Sequence, residues 1–483
     1  MLGRPLLTLL ICGGSVPAVY LAGFTLPYAL PVGLVQPLLH FGRITGPSLG
    51  PTVGLITALA ILFGLYAAGA RTCVQLEGSL PALAIVVLGG ALSALILLPM
   101  FPIFSQDIFY YMSANRIWSV YHQNPFVVPP LQVPNDTFFP YTSWGHYPLP
   151  YGPLWPWITQ LTSTIGGDTV PTTLVAFKTL AVASYLLCLP LCYWTVSRIA
   201  PTRRLTGLCI FGWNPLVLLE LAGGGHNDAV ALVPAIVALA LWARRLDVAA
   251  TGAAALSFLT KATMILLIPA LWWPGLRRAR ASHATRTWAA WNVGLAAALF
   301  VAAWLPFWGD GGSRSFLQEA DQYYNSLTAL AVAPARGSAL VIHGVQAILV
   351  CGFGLFYLAQ LRRIRVDGKD TGKDTLKVMW RGLVVYFLVV SPFYSAWYMV
   401  WPTLLAALIA ERRTTVLTAL LCIGALGTYL VQFVLRPIAM PPLNWTEMNA
   451  VGLAAAAGPF ILGLWALQPR RERSLTAQAI THR

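Results

Sequence analysis

The chain has 483 residues, 57% hydrophobic and only 10% charged, with a formal net charge of +15. Soluble domains carry about 25% charged residues, so a water-facing globule of this length is excluded. The basic residues lie in short clusters between apolar runs and do not interleave with aromatics, which excludes a nucleic-acid partner and points to loops flanking membrane spans.

Apolar runs of about 20 residues, each long enough to cross a bilayer, recur from end to end. The first, 6–30, is too long for a signal-peptide core and reads as a membrane helix. Runs at 51–70 and 80–100 complete an N-terminal section, 1–100. A long segment, 101–170, then breaks the pattern with aromatics and prolines: FPIFSQDIFYYMSANRIW, NPFVVPP and FFPYTSWGHYPLPYGPLWPWI. Helical spacing over 106–121, with Ile108, Tyr111, Met112 and Ile117 on one side, predicts a helix at the membrane interface, and Leu154–Ile165 predicts another.

A helical core follows over 171–467, with runs at 171–198, 205–221, 226–243, 248–259, 261–275, 287–306, 338–361, 381–396, 397–410, 415–436 and 449–467. The pairs 248–275 and 381–410 are short and contain breaks, so half-helices that line a cavity are the alternative to full crossings. The expectation is a single all-α polytopic membrane domain, 1–483, with about 12–14 transmembrane helices and a tail at 468–483. Threaded as 14 crossings, 24 of the 31 Lys and Arg fall on one side, together with both termini. That side is the cytoplasm, and 101–170 and 307–337 (with Glu319 and Asp321) are external.

Only 16 residues are acidic, so each one in an apolar setting carries weight. Asp107 opens the first interfacial helix. It is either a helix cap or a general base, since a partly desolvated carboxylate is a better base near neutrality. Gly223-Gly224-Gly225-His226-Asn227-Asp228 sits at a second external junction. The glycines let the backbone approach a ligand, and Asn227 or Asp228 either caps the next helix or serves a site. Lys261 has no other charge within 13 residues on either side. It either snorkels to the interface or binds a lipid phosphate. Arg116 and Arg436 are external cations with the same potential, and Lys178 lies within a span. The runs Tyr147–Trp155 and Ser391–Tyr398 hold aromatics that stack on sugars or anchor the interface. The seven cysteines show no metal-ligand spacing.

These residues resemble a family. QDIFYY with Asp107, NPF at 124–126, YGPLWP at 151–156, WNPLVLLELAGGGHNDA at 213–229, LTKA at 259–262 and SPFYSAWYMVWP at 391–402 look like the GT-C glycosyltransferases. The closest resemblance is to the bacterial polyprenyl-phosphate-mannose-dependent alpha-1,6-mannopyranosyltransferases of lipomannan synthesis, over roughly residues 100–410. It implies a GT-C-like fold, a polyprenyl-phosphate-linked sugar donor, a glycan or glycolipid acceptor, and Asp107 as the base in the first large external loop. Tyr110, Tyr111, Arg116, His146, Tyr151, His226, Asn227, Asp228, Lys261, Tyr394, Tyr398 and Arg436 are the candidate substrate-binding residues. Many relatives place a second acid two residues after the base; Phe109 stands there, so no metal is implied, although a divalent ion is compatible. The implied activity is inverting hexosyl transfer at the external face of the cell membrane. The rival readings are a lipid-linked sugar flippase, which needs the same cations but no base, and a secondary transporter, which places its ionisable groups at midplane within inverted repeats.

Overall fold

The structure, a computed structural model, describes residues 3–46, 48–310, 323–335, 338–365, 371–438 and 441–468. Glu319, Asp321 and the basic residues beyond Gln468 lie outside the described residues. Regular structure among the described residues is helical, with two isolated β-bridges, Ala29 to Met100 and Tyr324 to Phe393. This is an all-α polytopic membrane protein. Among the described residues, eight helices are long and apolar enough to cross a bilayer, or nine with one bent pair, and three apolar helices are shorter. The expected count of about 12–14 transmembrane helices is therefore not reached by helices of spanning length, because several of the shorter apolar runs form helices of only 10–17 residues.

Three spans open the chain: α1 (Arg4–Thr25), α2 (Leu49–Gln75) and α3 (Leu80–Leu97). Two shorter helices follow, α4 (Asp107–Ser119) and α5 (Leu154–Gly166), then the long span α6 (Val170–Ile199). On α5, Trp157, Leu161 and Ile165 recur every four residues and are 47%, 66% and 76% exposed. Such a stripe fits a helix lying at a membrane interface. By contrast α4 is buried from Asp107 through Asn115, not on one apolar side alone, because α5, α6 and the 124–150 loop close over it.

The centre of the molecule is the bent pair α7 (Pro201–Gly212) and α8 (Pro215–Gly223), which meet at 51°. The bend is written in Trp213-Asn214-Pro215. Pro215 cannot donate a backbone N–H, and the Asn214 side chain caps the new helix by accepting from the N–H groups of Leu216 and Val217. Trp213 fills a slot whose walls are Gly13, Gly69 and Gly89 of α1, α2 and α3, and its indole N–H donates to the Val86 carbonyl at 2.8 Å. Any larger residue in that slot would meet the ring.

Helices α9 (Asp228–Ala243) and α10 (Asp247–Thr260) form the next hairpin. The chain breaks at Lys261, which is extended, and resumes in α11 (Ile268–Ala281). The spans α12 (Thr285–Trp308) and α13 (Ala339–Arg362) stand at the periphery; Leu340, Ile348 and Leu355 of α13 are 85%, 72% and 71% exposed, as lipid-facing residues are. A break at Ser391–Ser395 separates α14 (Thr371–Val385) and its π-turn from α15 (Ala396–Ile409). The spans α16 (Arg412–Ile438) and α17 (Trp445–Ala466) close the fold. Both short pairs noted in the sequence are thus broken helices, and both breaks open on the same cavity.

Candidate active site

The segment before α4 is pinned from two sides. Phe101 donates to the Tyr28 carbonyl at 2.7 Å, Phe41 donates to that of Ile103 at 2.8 Å, and the Gln106 amide donates to the Leu39 carbonyl. Asp107 therefore enters α4 at a fixed height. Its carboxylate does not cap the helix: Oδ1 accepts from Trp144 Nε1 at 3.1 Å, and Oδ2 lies 3.9 Å from His226 Nδ1.

His226 is delivered by the end of α8. The helix widens into a π-turn over Leu219–Gly223, a bulge common at functional sites. Lys178 of α6 donates to the freed carbonyls of Ala222 and Gly223 at 3.1 and 2.5 Å, a cation on a helix C-terminus. Gly225 then takes φ +72°, and a Cβ there would meet Ile108 of α4. The glycine run therefore lets the backbone approach the protein's own side chains; Gly223 and Gly224 face Met100 and the His226 ring. The His226 ring stacks on Trp397, with centroids 4.4 Å apart. Its Nδ1 is 3.4 Å from the Tyr111 hydroxyl, and its Nε2 is 3.1 Å from Glu220 Oε2 but off hydrogen-bond alignment.

Asn227 and Asp228 do not cap α9 with their side chains. Lys261 donates to Asp228 Oδ2 at 2.6 Å and to Asn227 Oδ1 at 3.0 Å, while Trp401 donates to Asp228 Oδ1 at 2.8 Å. An ammonium has three N–H groups, so the third is available to whatever occupies the cavity that Lys261 lines. Tyr151 and Tyr398 hold their rings 5.6 and 5.9 Å from the Lys261 ammonium. The YGP turn is locked against this spot: Gly152 donates to the Thr260 carbonyl, and a Cβ on it would strike the Leu259 carbonyl. Burial, then the carboxylates of Asp107 and Asp228, push the Tyr111 phenol well above its ordinary range, so it remains a donor.

Two cavities meet at this cluster. One, of about 330 Å³, is lined by Lys261, Tyr110, Tyr151 and Tyr398 and by the apolar Ile265, Leu266 and Phe387. The second, of about 440 Å³, is lined by His40, Gln106, Asn325 and Gln432 among aromatic residues that include Phe104, Tyr394, Tyr429 and Phe433. Asp107, Trp144, Tyr147, Phe393 and Trp397 line both. Volumes of this order suit small-molecule sites, typically about 300–1,000 Å³.

Asp107, Tyr110, Tyr111, Tyr151, His226, Asn227, Asp228, Lys261, Tyr394 and Tyr398 are thus brought to one region. Three candidates are not. Arg116 is held by Asp136 at 2.6 Å and stacks on Phe138, His146 is exposed, and Arg436 is exposed at the end of α16; none lines either cavity. Sequence reasoning passed over Glu220, Trp144, Trp397 as the partner of His226, and Trp401. Among the described residues no group of three His, Cys, Asp or Glu is arranged to hold a metal ion.

Comparison with known proteins gives a consistent picture. Residues 48–277 match the family model described as alpha-(1->6)-mannopyranosyltransferase, N-terminal domain. The chain is 29% identical over 367 residues to alpha-(1->6)-mannopyranosyltransferase A of Mycobacterium tuberculosis, covering 70% of this chain and 66% of that protein. It is 27% identical over 195 residues to the protein of the same name from Corynebacterium glutamicum, covering 38% of each. The matched region therefore spans less than two thirds of either relative's length.

Proposed function

We propose that this chain is a member of the alpha-(1->6)-mannopyranosyltransferase family, whose model matches residues 48–277, and that it moves a hexose, mannose in the first place, from a polyprenyl-phosphate donor to a hydroxyl of a glycan or glycolipid. The relatives' names support the sugar. The observation that carries the reading is Asp107 on the lining shared by two cavities, of which one holds Lys261 and the other does not. A transferase must bring a donor and an acceptor to one base, whereas a flippase has no need of a carboxylate between two chambers.

In this reading the donor occupies the smaller cavity. Its phosphate meets the third N–H of Lys261, and its prenyl chain leaves past Ile265, Leu266 and Phe387 into the bilayer. A cation fixed at the developing phosphate charge stabilises the transition state in a low-dielectric site. The acceptor enters the second cavity, where His40, Gln106, Asn325 and Gln432 offer hydrogen-bonding groups. Its hydroxyl attacks the anomeric carbon, the bond from that carbon to the phosphate oxygen breaks with its electron pair going to the phosphate, and Asp107 takes the hydroxyl proton. Trp144 keeps the carboxylate oriented. Direct displacement on a β-linked donor gives an α-linked product. The distribution of Lys and Arg supports a multi-pass protein of the cell membrane with both termini cytoplasmic and this site external. The test is to reconstitute the purified protein with a panel of polyprenyl-phosphate sugars and membrane acceptors and to identify the product linkage. Transfer of mannose with inversion is expected. Movement of the lipid-linked sugar across the bilayer without transfer would replace this reading with a flippase.

A further inference from the structure

Glu220 is an acid in the middle of the protein that substrate binding does not explain. It is 1% exposed, lies on the π-turn of α8 and lines neither cavity. Its Oε2 accepts from the Tyr429 hydroxyl at 3.2 Å and lies 3.1 Å from His226 Nε2; its Oε1 has no hydrogen-bond partner. A buried carboxylate with one oxygen outside the protein's own hydrogen bonds is costly, and a catalytic role is one explanation for such a group. On the opposite edge of the same imidazole, Nδ1 faces Asp107 Oδ2 at 3.9 Å. A histidine is therefore set between the base and a second carboxylate, with Trp397 against its face.

We infer that Asp107, His226 and Glu220 form a proton relay, in which His226 takes from Asp107 the proton released by the acceptor and Glu220 positions His226 and stabilises its charged form. The inference rests on Asp107 being the base. The relay requires a His226 tautomer with Nε2–H towards Glu220 and the Nδ1 lone pair towards Asp107 and the Tyr111 hydroxyl. After transfer the proton is on Asp107. It passes to Nδ1, leaving an imidazolium between two carboxylates and an ionised Asp107 ready for the next acceptor. The proton leaves later to water, so no other reactant is consumed. The 3.9 Å gap is longer than a hydrogen bond, and catalytic contacts of this kind tighten when substrate is bound. The charged and titratable groups facing His226 are Asp107 and Tyr111 from α4 and Glu220 from α8, with Tyr429 of α16 on the far side of Glu220. Lys178 is turned onto the carbonyls of Ala222 and Gly223, and Lys261 is paired with Asp228. Asp107 and Glu220 are thus the ions that act on the ring.

The test compares Glu220→Gln, His226→Gln and the double variant with Asp107→Asn in the reconstituted transfer assay across pH. Removing the Glu220 charge makes the imidazolium formed in the relay less stable. The acid limb of kcat should move to lower pH, kcat should fall about tenfold or more, and donor KM should hold. The double variant should be no slower than His226→Gln alone. A purely structural Glu220 would lower thermal stability and leave the pH profile in place, which overturns the relay. Losses that multiply in the double variant overturn it as well. If Glu220→Gln does not fold, His226→Gln decides: wild-type kcat overturns the relay, and a fall in kcat with donor KM unchanged supports it. Failure of the base reading looks different, because then Asp107→Asn itself turns over normally. An inactive Asp107→Asn beside normal Glu220 and His226 variants removes only the relay.

Discussion

Replacing Lys261 with methionine tests the buried charge pair and the phosphate contact together. Methionine keeps most of the length and the apolar stem but removes the ammonium. Asp228 has no solvent exposure, and its two oxygens are held by Lys261 at 2.6 Å and Trp401 at 2.8 Å. The variant leaves a buried carboxylate with one neutral donor. Removing one partner of a buried ion pair costs about 3–5 kcal/mol, a large part of a net stability of about 5–15 kcal/mol. Lys261→Met should therefore unfold much more readily than the parent in detergent. Adding Asp228→Asn should restore most of the loss, because the amide is uncharged and its oxygen still accepts from Trp401. In that stable double variant the donor contact is examined separately. A charge-assisted hydrogen bond contributes about 1.5–3 kcal/mol, so donor affinity should fall by roughly one to two orders of magnitude. Lys261→Met as stable as the parent would refute the pair, and unchanged donor affinity in the double variant would remove Lys261 from phosphate binding.

Two further predictions address the turn and the topology. Gly225→Ala should lower the melting temperature and activity together: a left-handed residue with a Cβ costs about 1–2 kcal/mol, and the methyl also meets Ile108; a neutral result would mean that α4 and the turn are not packed as described. A cysteine placed at Asn135 should react with an impermeant thiol reagent in intact cells and one at Gly372 should not, and the reverse pattern would put the site on the cytoplasmic face.

Much of the site was legible because charge in an apolar chain is expensive. Asp107, His226, Asp228 and Lys261 stood out against their flanks, and they meet in space. The same rule applied to LLELAGGG finds Glu220, but the charge is inconspicuous beside the glycine and HND residues that follow it. Arg116 looked equally free, and only the return of the loop brings Asp136 onto it, twenty residues away. The capping readings of Asn227 and Asp228 did not hold, because Lys261, on a distant helix break, takes both side chains. Tryptophans at a membrane boundary read as anchors, so the roles of Trp144 and Trp401 as donors to Asp107 and Asp228 were hidden. The breaks at Lys261 and Ser391 were visible as apolar runs too short to cross, and their convergence on one cavity was not.

The central claim is that Asp107 removes the acceptor proton, and Asp107→Asn measures it most directly. The amide keeps the shape and can still accept from Trp144, so folding and donor binding should survive. It cannot take up the proton. General-base catalysis contributes about 10²–10⁴-fold, and steady-state transfer from polyprenyl-phosphate mannose by the reconstituted variant should fall within that range at an unchanged melting temperature. Transfer at a near wild-type rate would contradict the account and move the base elsewhere, with Asp228 the next carboxylate to examine.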